Sequence, residues 1–541
     1  MEENRYQKEN KSMKNRKLLY TFLTAFLLLL QLGVCIYFGT QKQGFHQDEY
    51  YSFFSSNRTA GLYEPDRAWQ SAETIRNEFV VLPGEGFRYG LVAQVQSWDV
   101  HPPLYYDLLH TMCSLFTGVF SKWLGISVNL IAFALCFLIL YDLLRRLGAD
   151  SRVRLLICGL WGFNPMTVSC VMFIRMYMWL TVFILLCCDL HVRLLQETMQ
   201  MENPGGRTYY LKFLLPVMLC SYLGFLTQYY YMIFFFFTGV FYTLWILYTQ
   251  GIREHQRGRA LRQALIYVCA CAGSLLLAVL SYPASVSHIF RGYRGKEAAA
   301  EFASAGNLGQ RIGFFLGLLN RDVFGGCFYF LAALLIIAMF IYRIRIRTEM
   351  KMVLTAVTGY FLVVSKTALL LGNTSNRYEM PVYGLILLMI VFMARDVIRH
   401  GTKYRRQAAF LLILLAVFLT AKGLFLDRNV LFLYPEDESR IAYAKQNSDI
   451  PVIIMYHDQT PDNVWRLTDE LLEYPQMYFM SQADQDQITD QTITTARKLL
   501  VYAADYDTQK ESLQTVLDSN PNLTGYSIVS KKDMWTLYEF H

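Results

Sequence analysis

Two adjacent carboxylates, Asp48 and Glu49, stand in the run Gly44-Phe45-His46-Gln47-Asp48-Glu49-Tyr50-Tyr51-Ser52, directly after the first long apolar stretch of the chain. A carboxylate at the edge of a bilayer is partly desolvated, and desolvation raises its pKa toward the range in which it accepts a proton from a hydroxyl. The pair reads either as a general base beside a second polar ligand or as a solvated loop. A second cluster is Trp98-Asp99-Val100-His101-Pro102-Pro103-Leu104-Tyr105-Tyr106. Its double proline enforces an extended approach and starts a helix at the first turn. Alternation puts Asp99 and His101 on one side of that extended segment. They can hold a metal, orient an acceptor or bond each other, and one His with one Asp is an incomplete metal site.

Cations form the third group. Arg175 opens one apolar run, Lys366 sits inside another, and Arg377-Tyr378-Glu379-Met380-Pro381 leads into the next. A lysine at the depth of Lys366 either snorkels or meets an anion. If its helix continued past residue 371, Lys366, Asn373 and Arg377 would recur on one face. Arg291, Arg294 and Lys296 add charge between two runs. A lipid phosphate would match these cations, with arginine giving bidentate contacts. Attack of a hydroxyl on an anomeric carbon needs a base on one side, and departure of a phosphate needs positive charge on the other. The aromatic residues Tyr50, Tyr51, Trp98, Tyr105, Tyr106 and Tyr229 to Tyr231 either stack on sugar faces or form an interfacial belt.

The elements that must position these residues are membrane helices. Of 541 residues, 54% are hydrophobic and 17% charged, more apolar and less charged than a soluble chain. That composition excludes disorder and argues against an ordinary soluble enzyme. Apolar runs near 18–39, 124–144, 155–173, 176–195, 210–227, 229–249, 262–282, 323–342, 352–371, 381–398 and 407–426 are each long enough to span the hydrocarbon. The expected fold is an α-helical polytopic membrane protein with about eleven spans, juxtamembrane helices and a small extracytoplasmic α/β C-terminal domain. Basic connections at 145–154, 193–212, 253–262, 343–351 and 395–406 alternate with the other loops, which places the N-terminus in the cytoplasm. The run 104–120 carries Asp107 and His110 and is read as a helix lying on the outer surface.

Residues 1–430 are expected to form the membrane domain, with 40–123 as its first outer loop, and 431–541 the α/β domain. The tail carries a net charge of −10 and the remainder +17, so two different solvents are implied. Short β-like runs there (451–456, 477–480, 498–503, 526–529, 534–540) alternate with polar helical stretches. The eleven cysteines all precede residue 430, mostly in apolar runs, and imply neither a disulfide framework nor a zinc site.

In its acid pair after the first span, His101-Pro102-Pro103-Leu104-Tyr105-Tyr106, Arg175 with Tyr177, and Arg377-Tyr378 with Pro381, the sequence resembles the GT-C superfamily of polytopic glycosyltransferases. The branch is that of the protein O-mannosyltransferases and the bacterial aminoarabinose transferase, over about residues 15–400. The resemblance implies transfer of a hexosyl or pentosyl unit from a polyprenyl-phosphate-linked donor to a protein or envelope glycan or lipid acceptor on the outer face. It gives Asp48 the role of base, with Glu49 orienting. Arg175, Lys366, Arg377, Arg291 and Arg294 are expected at the donor phosphate, and Asp99, His101, Tyr105 and Tyr378 at the acceptor or in positioning. The aminoarabinose transferases carry an acid and a lysine before the two prolines where this chain has His101, which leaves acceptor class and a divalent metal near Glu49, Asp99 and His101 open. No nucleic-acid partner is expected. The rival reading is a transporter or flippase of lipid-linked or envelope glycans, which would more often show inverted repeats and midplane polar residues.

Overall fold

The computed structural model describes residues 2–58, 66–200, 207–304, 306–401 and 404–541, with side chains from Lys14 onward except at 200, 461 and 462. Parts of the basic connections 193–212 and 395–406 therefore lie outside the described residues. The chain divides into two compact units. One comprises Met1–Gly39, Gln96–Tyr105 and Gly125–Leu431, the other Thr40–Val95, Tyr106–Leu124 and Phe432–His541.

The first unit is helical, and every apolar run expected to span falls on helix. Among the described residues, eight helices are long and apolar enough to cross a bilayer, or up to ten if each of two bent pairs is one span. Thr348–Thr367 is helical as well, but Glu349, Lys351 and Lys366 near its ends make it less apolar than the rest. One bent pair, Ser151–Gly162 and Pro165–Met172, turns by 54°. There Asn164 accepts a bond from the Met166 amide and Pro165 occupies the first turn, so the backbone stops and restarts where a proline costs no hydrogen bond. In the other pair, Leu308–Val323 and Phe328–Ile341, the 97° turn passes through Gly325 and Gly326 at φ of 57° and 90°, a region that favours glycine.

Burial separates central from peripheral helices: 78% of the apolar window of Tyr177–Met199 is buried, against 11% for Lys14–Gln41 and for Arg405–Leu426. The peripheral helices present Phe22, Leu29, Phe410 and Phe418 outward, as lipid-facing surfaces do. Close helix packing relies on small residues. At Gly384 a Cβ would lie 2.8 Å from the Trp161 ring.

The second unit is built on a six-stranded sheet of β1 (Ala68–Ser71), β2 (Val452–Tyr456), β3 (Gln476–Ser481), β4 (Leu499–Ala504), β5 (Tyr526–Lys532) and β6 (Trp535–Phe540), in the order β1-β3-β2-β4-β6-β5. β2 pairs in parallel with β3 and β4, while β1, β5 and β6 pair antiparallel. Ile454, Phe479 and Tyr502 pack with Leu467 and Leu471 on one face, and Ile453, Met480 and Val501 with Leu513 and Val516 on the other. Parallel strands buried on both faces read as continuous apolar runs, which is why β2 to β4 were visible in the sequence. β1 comes from the loop after the first span, so the sheet is not confined to the C-terminal segment. Helix Leu104–Leu115 has 12 residues, too short to cross the hydrocarbon at 1.5 Å per residue.

Candidate active site

In the second unit, helix Gln47–Asn57 begins with a capping box. The His46 side chain accepts from the backbone N–H of Asp48, and the His46 N–H donates to the Glu49 carboxylate. The two acids of the pair are thereby put to different uses. Glu49 is 0% exposed and its Oε2 lies 2.9 Å from Nζ of Lys42, itself 0% exposed. Lys42 also donates to the Phe432 carbonyl at 2.7 Å. Burial pushes the Lys42 ammonium below the ordinary lysine range and Glu49 pulls it back up. Asp48 keeps 32% of its side chain exposed, with His46 Nδ1 3.7 Å away, and sits in the first turn of the helix, where the helix dipole favours a carboxylate.

One residue further, Tyr50 donates to Asp469 at 2.8 Å. Burial pushes the Asp469 carboxyl up, and Lys532, the Tyr50 hydroxyl and Lys42 draw it back down. Lys42 and Asp469 were not among the residues singled out by sequence, and Tyr50 was named there only as an aromatic ring. The one signal was a lysine closing an apolar run seven residues before an acid.

In the first unit, Asp99 and His101 bond each other, Oδ2 to Nδ1, at 2.9 Å. Nε2 of His101 lies 3.2 Å from Nη2 of Arg175. A guanidinium only donates, so Nε2 accepts and the Nδ1 proton goes to Asp99. Burial acts to raise the Asp99 pKa, but the bond from His101, the nearby Arg175 charge and the Val100 amide outweigh it and hold the carboxyl below its ordinary range. Tyr105 is fully buried.

Arg175 and Arg377 are 5% and 4% exposed. Arg377 donates to the Tyr378 hydroxyl at 3.1 Å and lies over the rings of Tyr378 and Phe173, 5.0 and 5.6 Å from their centroids. Tyr378 packs in turn against Tyr177 and Tyr230. These four aromatic residues and one guanidinium make a rigid wall.

Lys366 is placed differently from the expectation of one continuous cationic face. Its helix ends at Thr367 and a 3-10 turn, Gly372–Ser375, intervenes before Asn376–His400. The register that would align Lys366, Asn373 and Arg377 is therefore lost. The Lys366 ammonium donates to the Ser304 carbonyl and to Asn307. Beside it, Arg311 donates to the Ser365 and Ala368 carbonyls, satisfying the C-terminus of helix Thr348–Thr367, and pairs with Glu301 at 3.3 Å. Arg311 was hidden in the sequence because it sits in an apolar run. Arg294 pairs with Glu297 at 3.0 Å on an exposed helix, and Arg291 is exposed just before it.

Glu49, Asp99 and His101 do not fit a cation as they stand. Lys42 occupies the Glu49 carboxylate, and both ring nitrogens of His101 are bonded, one of them to a guanidinium. Among the described residues no three His, Cys, Asp or Glu side chains gather as a metal site.

No protein-family model and no curated protein matches the chain. Among solved structures, ArnT from Cupriavidus metallidurans bound to undecaprenyl phosphate is similar over 97% of this chain and 98% of its own, at 12% identity and a TM-score of 0.52. The same protein in the apo state matches over 98% of each chain, at 13% identity and a TM-score of 0.51. At such identity the likeness is one of backbone: the chain shares the fold of that protein over nearly its whole length.

Proposed function

We propose that this protein is a membrane glycosyltransferase that moves a sugar from a polyprenyl-phosphate-linked donor to a hydroxyl acceptor on the outer face of the membrane. The observation that carries this reading is the fold, shared over nearly the whole chain with a protein solved with undecaprenyl phosphate bound. In the reaction, Asp48 takes the acceptor's hydroxyl proton as the oxygen bonds to the anomeric carbon. The bond from that carbon to the donor phosphate oxygen breaks, the electron pair leaves with the polyprenyl phosphate, and the configuration inverts. The partial exposure of Asp48 supports its choice over Glu49. Arg175 and Arg377, held in fixed orientations by His101 and by Tyr378 and Phe173, are the cations for the phosphate, where preorganised charge acts most strongly. Arg291 and Arg294 belong to the exposed segment beside the donor, and Tyr378 forms part of the sugar wall. The α/β unit is extracytoplasmic and the N-terminus cytoplasmic.

The test is turnover of radiolabelled undecaprenyl-phosphate mannose, glucose, galactose and arabinose by the purified protein in nanodiscs, with extracts of envelope glycans and lipids as acceptors. Transfer by the wild type and a loss of about 10²–10⁴-fold in Asp48→Asn, with unchanged thermal melting, is the expected result. Equal rates in the two proteins would remove Asp48 from the chemistry. A wild type that transports these lipids without transferring sugar would replace the enzyme with a flippase.

A further inference from the structure

The helix that carries Asp48 belongs to the same compact unit as the C-terminal α/β sheet, and the bonds joining them are buried and charged. Lys42 bridges the Glu49 carboxylate to the carbonyl of Phe432, the first residue of the C-terminal segment. The Gln43 amide donates to the Leu433 carbonyl at 2.7 Å. Tyr50, 0% exposed, reaches Asp469 in helix Thr468–Leu471, which leads into β3. Gln47 donates to Asn463 at 3.3 Å and accepts from Arg466. Gly44 lies so close to the Asp437 carboxylate that a Cβ would collide with it. Asp437 is tied to Arg440 and Lys532, and Arg440 to Glu470 at 2.8 Å.

Buried ion pairs are poor sources of stability, because desolvation offsets most of the attraction. Their best-attested use is to fix one arrangement among several of similar energy. Here the residues so fixed flank Asp48 on both sides: Glu49 and Tyr50 after it, Gln47 before it, Lys42 and Gly44 in the approach. Losing the Lys42 or Asp469 side chain takes a charge partner from Glu49 or the acceptor from the Tyr50 hydroxyl, next to the helix start.

We propose that the C-terminal α/β segment acts as a positioning element for Asp48, through Lys42 to Glu49 and Tyr50 to Asp469, rather than as a cap or a docking module alone. Lys42, Glu49, Tyr50 and Asp469 are positioning residues. The catalytic half of this proposal rests on the reading of Asp48 as the base, whereas the mechanical half stands on the bonds themselves.

Two measurements on the full-length protein in nanodiscs test it. Tyr50→Phe removes the hydroxyl and Asp469→Ala the carboxylate that accepts its bond, and Lys42→Met removes the other anchor. Amide exchange of residues 47–57 is expected to speed up at least about fivefold in all three variants, while exchange in β2 to β4 keeps its wild-type rate. In turnover of the undecaprenyl-phosphate sugar used by the wild type, kcat is expected to fall about tenfold or more for a misplaced base, with both KM values within twofold. The Tyr50→Phe/Asp469→Ala double variant should lose no more than the worse single, since both remove the same bond, and Lys42→Arg should recover part of the Lys42→Met loss. Exchange that stays at the wild-type rate in residues 47–57 overturns the proposal. So does exchange that rises equally in the sheet, which would make these bonds general stabilisers. If the wild type turns over none of the sugars, the reading of Asp48 fails, and with it the catalytic half, while the exchange rates still decide the mechanical half.

Discussion

His101 stands between a carboxylate and a guanidinium: its Nδ1 is 2.9 Å from Asp99 and its Nε2 3.2 Å from Arg175. This chain of three turns a motif that looked like half a metal site into a holder for an arginine. The bends between helices Tyr89–Trp98 and Leu104–Leu115, and not the extended segment expected from the two prolines, bring the two side chains together. Arg175 is 5% exposed, and a buried guanidinium without oriented acceptors is costly.

His101→Phe, which keeps an aromatic ring and removes both nitrogens, takes the His101 acceptor away from Arg175. If Arg175 serves the donor phosphate, donor KM or kcat should worsen by about tenfold to hundredfold, as expected for one charge-assisted bond of about 1.5–3 kcal/mol. Acceptor KM should stay unchanged. Asp99→Asn, which keeps a weaker acceptor for Nδ1–H, should lose less. The measurement is steady-state kinetics with each substrate varied in turn, and equal losses for donor and acceptor would separate Arg175 from the phosphate.

A second split is expected between the cations. Lys366 donates to the Ser304 carbonyl and Asn307, whereas Arg377 lies against the Phe173 and Tyr378 rings and donates to the Tyr378 hydroxyl. Lys366→Met should therefore lower thermal stability, by about 1–3 kcal/mol for the lost charge-assisted bonds to the Ser304 carbonyl and Asn307, with donor affinity retained in the folded fraction. Arg377→Ala should do the opposite, weakening binding of undecaprenyl phosphate with a small change in melting. Microscale binding of the lipid and melting curves on the same preparations distinguish the two.

Much of the fold was legible in the sequence because lipid and sheet impose simple periods. Each apolar run expected to span is helical, and β2, β3 and β4 fall within one or two residues of the apolar runs that announced them. What stayed hidden was pairing at a distance. β1 is four residues long and carries no alternation strong enough to stand out, so its docking beside β3 could not be read. The roles within the acid pair were hidden for the same reason. Asp48 and Glu49 are chemically near-equal neighbours, and only the position of Lys42, together with the capping bond from His46, separates the exposed one from the buried one. Lys366 misled because a charge in an apolar run signals a partner without naming it.

Gly44 offers a sharper check of packing in the second unit. Since a Cβ there would collide with the Asp437 carboxylate, and Asp437 is held by Arg440 and Lys532, Gly44→Ala must push this anchored side chain aside. Overpacking of this kind costs about 1–3 kcal/mol. The expected outcome is a lower melting temperature with a partial return in Gly44→Ala/Asp437→Ser, where the obstructing carboxylate is gone. A single variant that melts like the wild type would mean that Asp437 yields freely.

Asp107 supplies a prediction with a pH signature. It lies on helix Leu104–Leu115 with no hydrogen-bond partner at Oδ1 among the described residues, and burial pushes its carboxyl from 3.8 up to about 7. An acid whose folded pKa lies above its unfolded value takes up a proton on folding. Stability is therefore greatest below the unfolded pKa near 4 and falls as pH rises through about 7, above which the whole cost of the buried charge is present. Asp107→Asn removes that charge and keeps the shape. Its melting temperature should exceed that of the wild type by a few degrees at pH 8, a shift of about 2–4 °C per kcal/mol for a unit of this size. The gain should shrink steadily and vanish by about pH 4. Partial solvent screening reduces the effect without reversing it. Melting curves of both proteins at pH 4, 6 and 8 decide the matter, and a gain that is independent of pH would show that the asparagine acts by better hydrogen bonding and that the carboxylate carries no charge penalty.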